Sequence, residues 1–153
     1  MNHVEVLQII SGGIGATAFA ILFHIRGKRL LAASVGGFLS WFLFVVLGFM
    51  LEGEVIRYFL VAILISIYAE LMARILKTPA TTCLMPTLIP LIPGGSLYYT
   101  MSSIFEQGTE VFISKAKDTL ALSAALALGI VITNMITRMI RGFIELHNRE
   151  LSR

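Results

Sequence analysis

Residues 30–51 read LLAASVGGFLSWFLFVVLGFML, 22 positions without a charged side chain. Arg26, Lys28 and Arg29 precede them, and Glu52 and Glu54 follow. About 20 apolar residues in a helix cross the roughly 30 Å hydrocarbon core of a bilayer. The stretch therefore reads as a membrane span, with its ends marked by the charges beside it. Outward from it lie four more segments of the same kind. Residues 4–25 end on the basic cluster, and 55–76 close on Arg74 and Lys77. Residues 79–105 are interrupted by prolines, and 119–140 lead into a basic tail at 141–153. The expected fold is an all-α integral membrane protein of about five transmembrane helices, the fourth broken by Pro and Gly. The whole chain, 1–153, forms a single transmembrane domain.

Composition supports this class. The chain is 57% hydrophobic and 14% charged, whereas soluble domains run near 45–50% apolar and about 25% charged. The net charge of +3 is spread over short clusters between apolar spans, which is membrane-flanking charge and not a nucleic-acid surface. Cys83 is the one cysteine, so no intrachain disulfide forms and the thiol is expected to be inert. Met1-Asn2-His3-Val4-Glu5 lacks the positive stretch of a signal peptide, so the first span is expected to be retained.

Charge also orients the spans. With five crossings and the N-terminus outside, the inner side receives Arg26, Lys28, Arg29, Arg74, Lys77, Arg138, Arg141, Arg149 and Arg153. The outer side receives Arg57, Lys115 and Lys117, with Glu5, Glu52, Glu54, Glu106, Glu110 and Asp118. This split follows the positive-inside rule and places the C-terminus in the cytoplasm. A re-entrant fourth segment would put the basic tail outside, against that rule. Residues 106–118 are more polar, and read either as an interfacial amphipathic stretch or as an extension of the fifth helix.

The densest feature is the fourth segment, which holds Pro79, Pro86, Pro90 and Pro93. Each interior proline removes an N–H donor and displaces the carbonyl four residues earlier, here those of Thr82, Pro86 and Ile89. Such groups cannot face lipid unpaired, so this backbone should face protein or a wet cavity. Pro93-Gly94-Gly95 reads as the break, with Ser96 capping a half-helix that starts at Leu97. A half-helix N-terminus favours a carboxylate, and broken helices are where transporters hold substrate. The candidate substrate-binding residues are Pro90, Pro93, Gly94, Gly95, Ser96, Tyr98, Tyr99 and Thr100. A kinked helix packed only for structure is the competing reading.

Glu70 is the carboxylate set furthest inside an apolar span, one turn from Arg74. The two are candidates for gating or proton coupling, or for a structural i, i+4 pair. Ala121, Ala125 and Gly129 recur at a spacing of four, and residues 11–16 and 34–37 are rich in small side chains. These faces allow close helix approach within a bundle or an oligomer. Asn134, Thr133 and Thr137 form a polar patch. No phosphate-cradling loop or nucleophile elbow occurs, so catalytic residues are none and an enzyme is not expected. His3, His24 and His147 are isolated, so no metal or other cofactor is expected.

Ala69-Glu70-Leu71-Met72-Ala73-Arg74-Ile75-Leu76-Lys77-Thr78-Pro79-Ala80-Thr81, followed by Pro86-Thr87-Leu88-Ile89-Pro90-Leu91-Ile92-Pro93-Gly94-Gly95-Ser96-Leu97-Tyr98-Tyr99-Thr100-Met101, resembles the threonine/serine exporter family. The likeness is to its small-subunit form, equivalent to the C-terminal half of fused exporters. The resemblance implies a secondary transporter of the cell inner membrane that exports threonine, serine or related carboxylates, including dicarboxylates such as succinate. It also implies a hetero-oligomer with a larger membrane subunit.

Overall fold

The structure, a computed structural model, describes residues 3–106 and 108–151. The side chains of 106, 141 and 144–151 are not described, so the expectations for Glu106, Arg141, His147, Arg149 and Arg153 lie outside the described residues. Six α-helices follow one another: α1 (His3–Leu22), α2 (Lys28–Met50), α3 (Glu54–Ile75), α4 (Ala80–Leu88), α5 (Gly94–Glu106) and α6 (Thr109–Leu151). A 3₁₀ turn, Ile89–Leu91, joins α4 to α5. The first three helices and α6 are long and apolar enough to span a membrane, and the α4–α5 pair, bent by 48°, passes the same test only when taken as one broken span. The all-helical membrane expectation holds, with four spans or, counting the bent pair as one, five.

α1 and α3 stop by the same device. His24 and Lys77 take positive φ of 58° and 49°. Ile25 N–H then reaches back to the Ala20 carbonyl at 3.0 Å, and Thr78 N–H to Ala73 at 2.9 Å. These six-to-one closures satisfy carbonyls that would otherwise be orphaned at a helix end. Ile25 buries itself against Ala20, the apolar contact that accompanies such a cap.

Packing between the helices relies on small side chains, as it must where lipid removes the hydrophobic drive. Gly37 lies against Ala16 and Gly13 against Phe38, joining α1 to α2. Gly36 leaves space for Thr87 of α4 and for Tyr68 of α3, whose hydroxyl donates to the Ala32 carbonyl at 2.8 Å. α4 is thereby enclosed by α1, α2 and α3. Cys83, Leu84 and Leu91 join Val61, Ile65 and Ala69 in the core.

The α6 stripe differs in detail from the sequence expectation. Ala125 and Gly129 are buried, but Ala121 is exposed and Leu122 takes its place, because the stripe steps by three residues there before it steps by four. α6 is continuous from Thr109, so residues 109–118 extend the fifth helix. Its 43 residues make a rod of about 65 Å, far longer than the roughly 30 Å hydrocarbon core.

A β-carbon at Gly129 would come within 2.7 Å of Ala62 Cβ and 2.8 Å of the Phe59 carbonyl oxygen, whereas one at Gly94 meets nothing. Gly129→Ala should therefore force α3 and α6 apart and cost about 1–3 kcal/mol. Gly94→Ala should be neutral or stabilise by up to about 1 kcal/mol through helix propensity. Thermal unfolding of both variants in detergent checks this; equal midpoints would contradict the close α3–α6 approach.

Candidate functional site

The chain direction collects its charges at two ends. Arg26, Lys28, Arg29, Arg74, Lys77 and Arg138 sit where α1 and α3 end and α2 and α4 begin. Glu52, Glu54, Glu110 and Asp118 lie at the other, acidic end with Arg57, Lys115 and Lys117.

At the basic end a cavity of about 570 Å³ opens between α3, the start of α4, and α6. Glu70, Arg74 and Lys77 line it from the α3 side, Thr81 from α4, and Asn134 and Arg138 from α6. Each is placed by local backbone chemistry. The α3 cap turns Lys77 into the left-handed region, which costs a side-chain-bearing residue of order 1 kcal/mol. Pro79 then precedes the first turn of α4 with φ −58°, ψ 138° and no capping side chain. Thr82 N–H bonds the Pro79 carbonyl at 3.1 Å, while the N–H groups of Ala80 and Thr81 belong to a first turn that has no intrahelical acceptors. Thr78, also on the wall, has a buried hydroxyl without a hydrogen-bond partner.

Three cations face one carboxylate here, beside the positive pole of a helix, so the cavity is electropositive and suited to a small anion. Glu70 and Arg74 also line a neighbouring apolar crevice of about 360 Å³ with Ile67, Ile132, Ile136 and Thr137. The two candidate gating residues therefore stand together on the partition between a polar cavity and an apolar one. Within the α6 polar patch, Thr133 is turned inward, its hydroxyl donating to the Gly129 carbonyl at 2.9 Å.

Three details define the break. First, the proline-displaced carbonyls are reused. Ile89 N–H bonds Pro86, and Ile92 N–H bonds Ile89 at 3.2 Å, because the 3₁₀ turn shortens the hydrogen-bond step from four residues to three. Second, Ser96 is not the cap. Leu97 N–H bonds the Pro93 carbonyl at 3.0 Å, so α5 starts at Gly94 and Ser96 lies inside its first turn. Third, α4 and the 3₁₀ turn advance about 20 Å, and Ser96 shares a cavity with Glu54 and Asp118 of the acidic end.

The candidate residues do not gather in one pocket. Pro90 lines a cavity of about 320 Å³ with Gln8, Ser11, Gly12 and Trp41. Ser96, Tyr99 and Thr100 line another of about 320 Å³ with Glu54, Lys115 and Asp118. Pro93 is half-buried, while Gly94 and Gly95 are exposed with open space around them. Tyr98 and Tyr99 are 69% and 64% exposed and stack edge-on on the outer face of α5. Thr100 is buried, donating to the Ser96 carbonyl at 2.7 Å and meeting Thr119 Oγ1 at 2.9 Å. Arg57 and Trp41 are polar cavity-lining groups that sequence reasoning missed. Arg57, a cation within the first turn of an apolar span at the more acidic end, was the available signal.

α5 packs on α6, and the Thr100–Thr119 bond is the polar tie between them. Thr100→Val keeps the shape and removes that bond, a loss of about 1 kcal/mol. Amide hydrogen exchange across 94–106 should accelerate while α3 amides stay protected; unchanged exchange would mean that apolar packing alone holds α5.

The family described as "Threonine/Serine exporter, ThrE" matches residues 8–136. A relative from Corynebacterium glutamicum named "Threonine/serine exporter" is 26% identical over 137 residues, 88% of this chain. The chain spans 27% of that relative's length. No solved structure matches. With the match running from α1 into the polar patch of α6, the chain belongs to the threonine/serine exporter family.

Proposed function

We propose that this chain is the small subunit of a secondary exporter that carries threonine, serine or a related small carboxylate across the cytoplasmic membrane. The observation that carries the reading is the electropositive cavity at the start of the broken segment, bounded by Glu70, Arg74, Lys77, Thr81, Asn134 and Arg138. Its volume suits a small amino acid or dicarboxylate with some hydration water. Under the positive-inside rule this end faces the cytoplasm, so the cavity is the intake mouth. Glu70 and Arg74, on the partition to the apolar crevice, gate it or carry the coupling proton.

The working unit includes a larger membrane subunit. Two features support that. The basic-end cavities share no lining residue with those of the acidic end, and Gly94 and Gly95 present open backbone to the outside of the bundle. In this reading the N–H groups of the first turn of α5 and the exposed Tyr98 and Tyr99 meet substrate only when a partner supplies the facing wall. A purely structural role beside a transporting partner is the second reading, favoured by the outward tyrosines.

Two experiments test this. Cells loaded with threonine- and serine-containing dipeptides should release the free amino acids several-fold faster with both subunits than with this chain deleted. Equal release with both subunits confirmed in the membrane would remove the transport role. For orientation, an impermeant maleimide applied from outside should label Lys117→Cys and spare Lys28→Cys, both exposed positions, while buried Cys83 stays silent. The reverse pattern would invert the intake mouth.

A further inference from the structure

Arg57 projects from the first turns of α3 into the membrane domain, and its side chain is only 20% exposed. Its guanidinium lies 5.2 Å from the Phe44 ring centroid. It also rests against Gly48, where a β-carbon would stand 2.9 Å from Nη1. The absence of a side chain at Gly48 is what lets the charge lie along α2. Glu54 approaches at 3.9 Å but is 63% exposed, a surface ion pair of small worth. Arg57 Nε is buried and has no hydrogen-bond partner.

A second buried donor in the same place is also unsatisfied. Trp41 Nε1, from α2, has no partner, and Trp41 and Arg57 line one cavity of about 220 Å³ between α1, α2 and α3. Buried unsatisfied donors are rare and costly, more so when charged. Both donors belong to side chains that line one cavity, which suits an acceptor with more than one lone pair. A carboxylate fits, and Arg is the side chain that binds it most specifically. Gln8 and Trp41 continue into the adjoining cavity beside Gly12 and Pro90, so a bound side chain has room to extend toward the broken segment.

We propose that Arg57 and Trp41 form a carboxylate-binding site for a small amino acid, complete within this chain. Glu5 lines the same cavity, so a ligand with an ammonium group beside its carboxylate matches the local charges better than a dianion. The site lies toward the acidic end, opposite the intake mouth, where a substrate would be held before release. The assignment rests on the exporter reading for its choice of ligand.

Trp41 is the sole tryptophan, so its emission reports the site directly. The full chain in nanodiscs should show a saturable change in Trp41 fluorescence with L-threonine and none with L-threonine amide, which lacks the carboxylate. Arg57→Gln should weaken binding by roughly tenfold or more, the effect of losing a charge-assisted hydrogen bond. Should Arg57→Gln fail to insert, Gly48→Ala keeps the charge but displaces it, and should weaken binding several-fold. No saturable change in the wild-type chain, which would leave water as the partner of both donors, overturns the site. So does unaltered binding by a folded variant, and tighter binding of succinate than of threonine overturns the amino-acid assignment. Wild-type efflux from a subunit pair carrying Arg57→Gln rejects the site while the exporter reading stands. Threonine binding without efflux by the intact pair rejects the exporter reading while the site stands.

Discussion

The constraint on which the rest of the structure depends is that no backbone polar group may face hydrocarbon unpaired. Residues 79–93 hold four prolines, and a regular helix through them would leave carbonyls without donors. The chain answers locally and then globally. Locally, it tightens into a 3₁₀ turn so that Ile89 and Ile92 donate to Pro86 and Ile89, and the Thr87 hydroxyl donates to the Leu84 carbonyl at 2.8 Å. Globally, it packs the segment against α1, α2 and α3.

That placement explains the small residues around it. Any side chain at Gly36 would collide with Thr87, and Gly37 and Ala16 must touch for α1 and α2 to close around the segment. The glycines of α2 are thus consequences of the prolines of α4, two features that look unrelated in the sequence. The ordinary α3–α6 contact needs Gly129 for a different reason, since there it is backbone that approaches backbone.

The apolar spans and the charge clusters that separate them were legible because each rests on a one-dimensional quantity: apolar length or the position of a cation. The presence of the break was legible for the same reason, since a proline acts on its own backbone. Its details were not. Ser96 looked like a cap because serine caps well, but Pro93, whose ring fixes only φ, supplies the first accepting carbonyl, to Leu97 N–H. Tyr98 and Tyr99 follow the break in sequence, but their exposure of 69% and 64% is a property of packing that the sequence does not carry. Arg57 and Trp41 lie 16 positions apart, and nothing in a linear pattern announces that two donors on different helices are left unsatisfied in one cavity.

Those two donors also bear on why the acidic end keeps a buried cation at all. An arginine at this depth could reach water by snorkelling, and a lysine or glutamine in its place would be easier to accommodate. Instead Gly48 clears a path inward and Phe44 offers its ring face, so the surroundings hold the guanidinium away from solvent. Exposed Glu54 at 3.9 Å returns too little to account for that arrangement. A cation kept inside the bundle beside a cavity, with a buried N–H left unsatisfied, is what the proposed carboxylate site would use. The basic end gathers several exposed cations around an open cavity, whereas at the acidic end Arg57 lies largely buried beside one indole. The first arrangement suits capture, and the second suits selection of a particular small carboxylate.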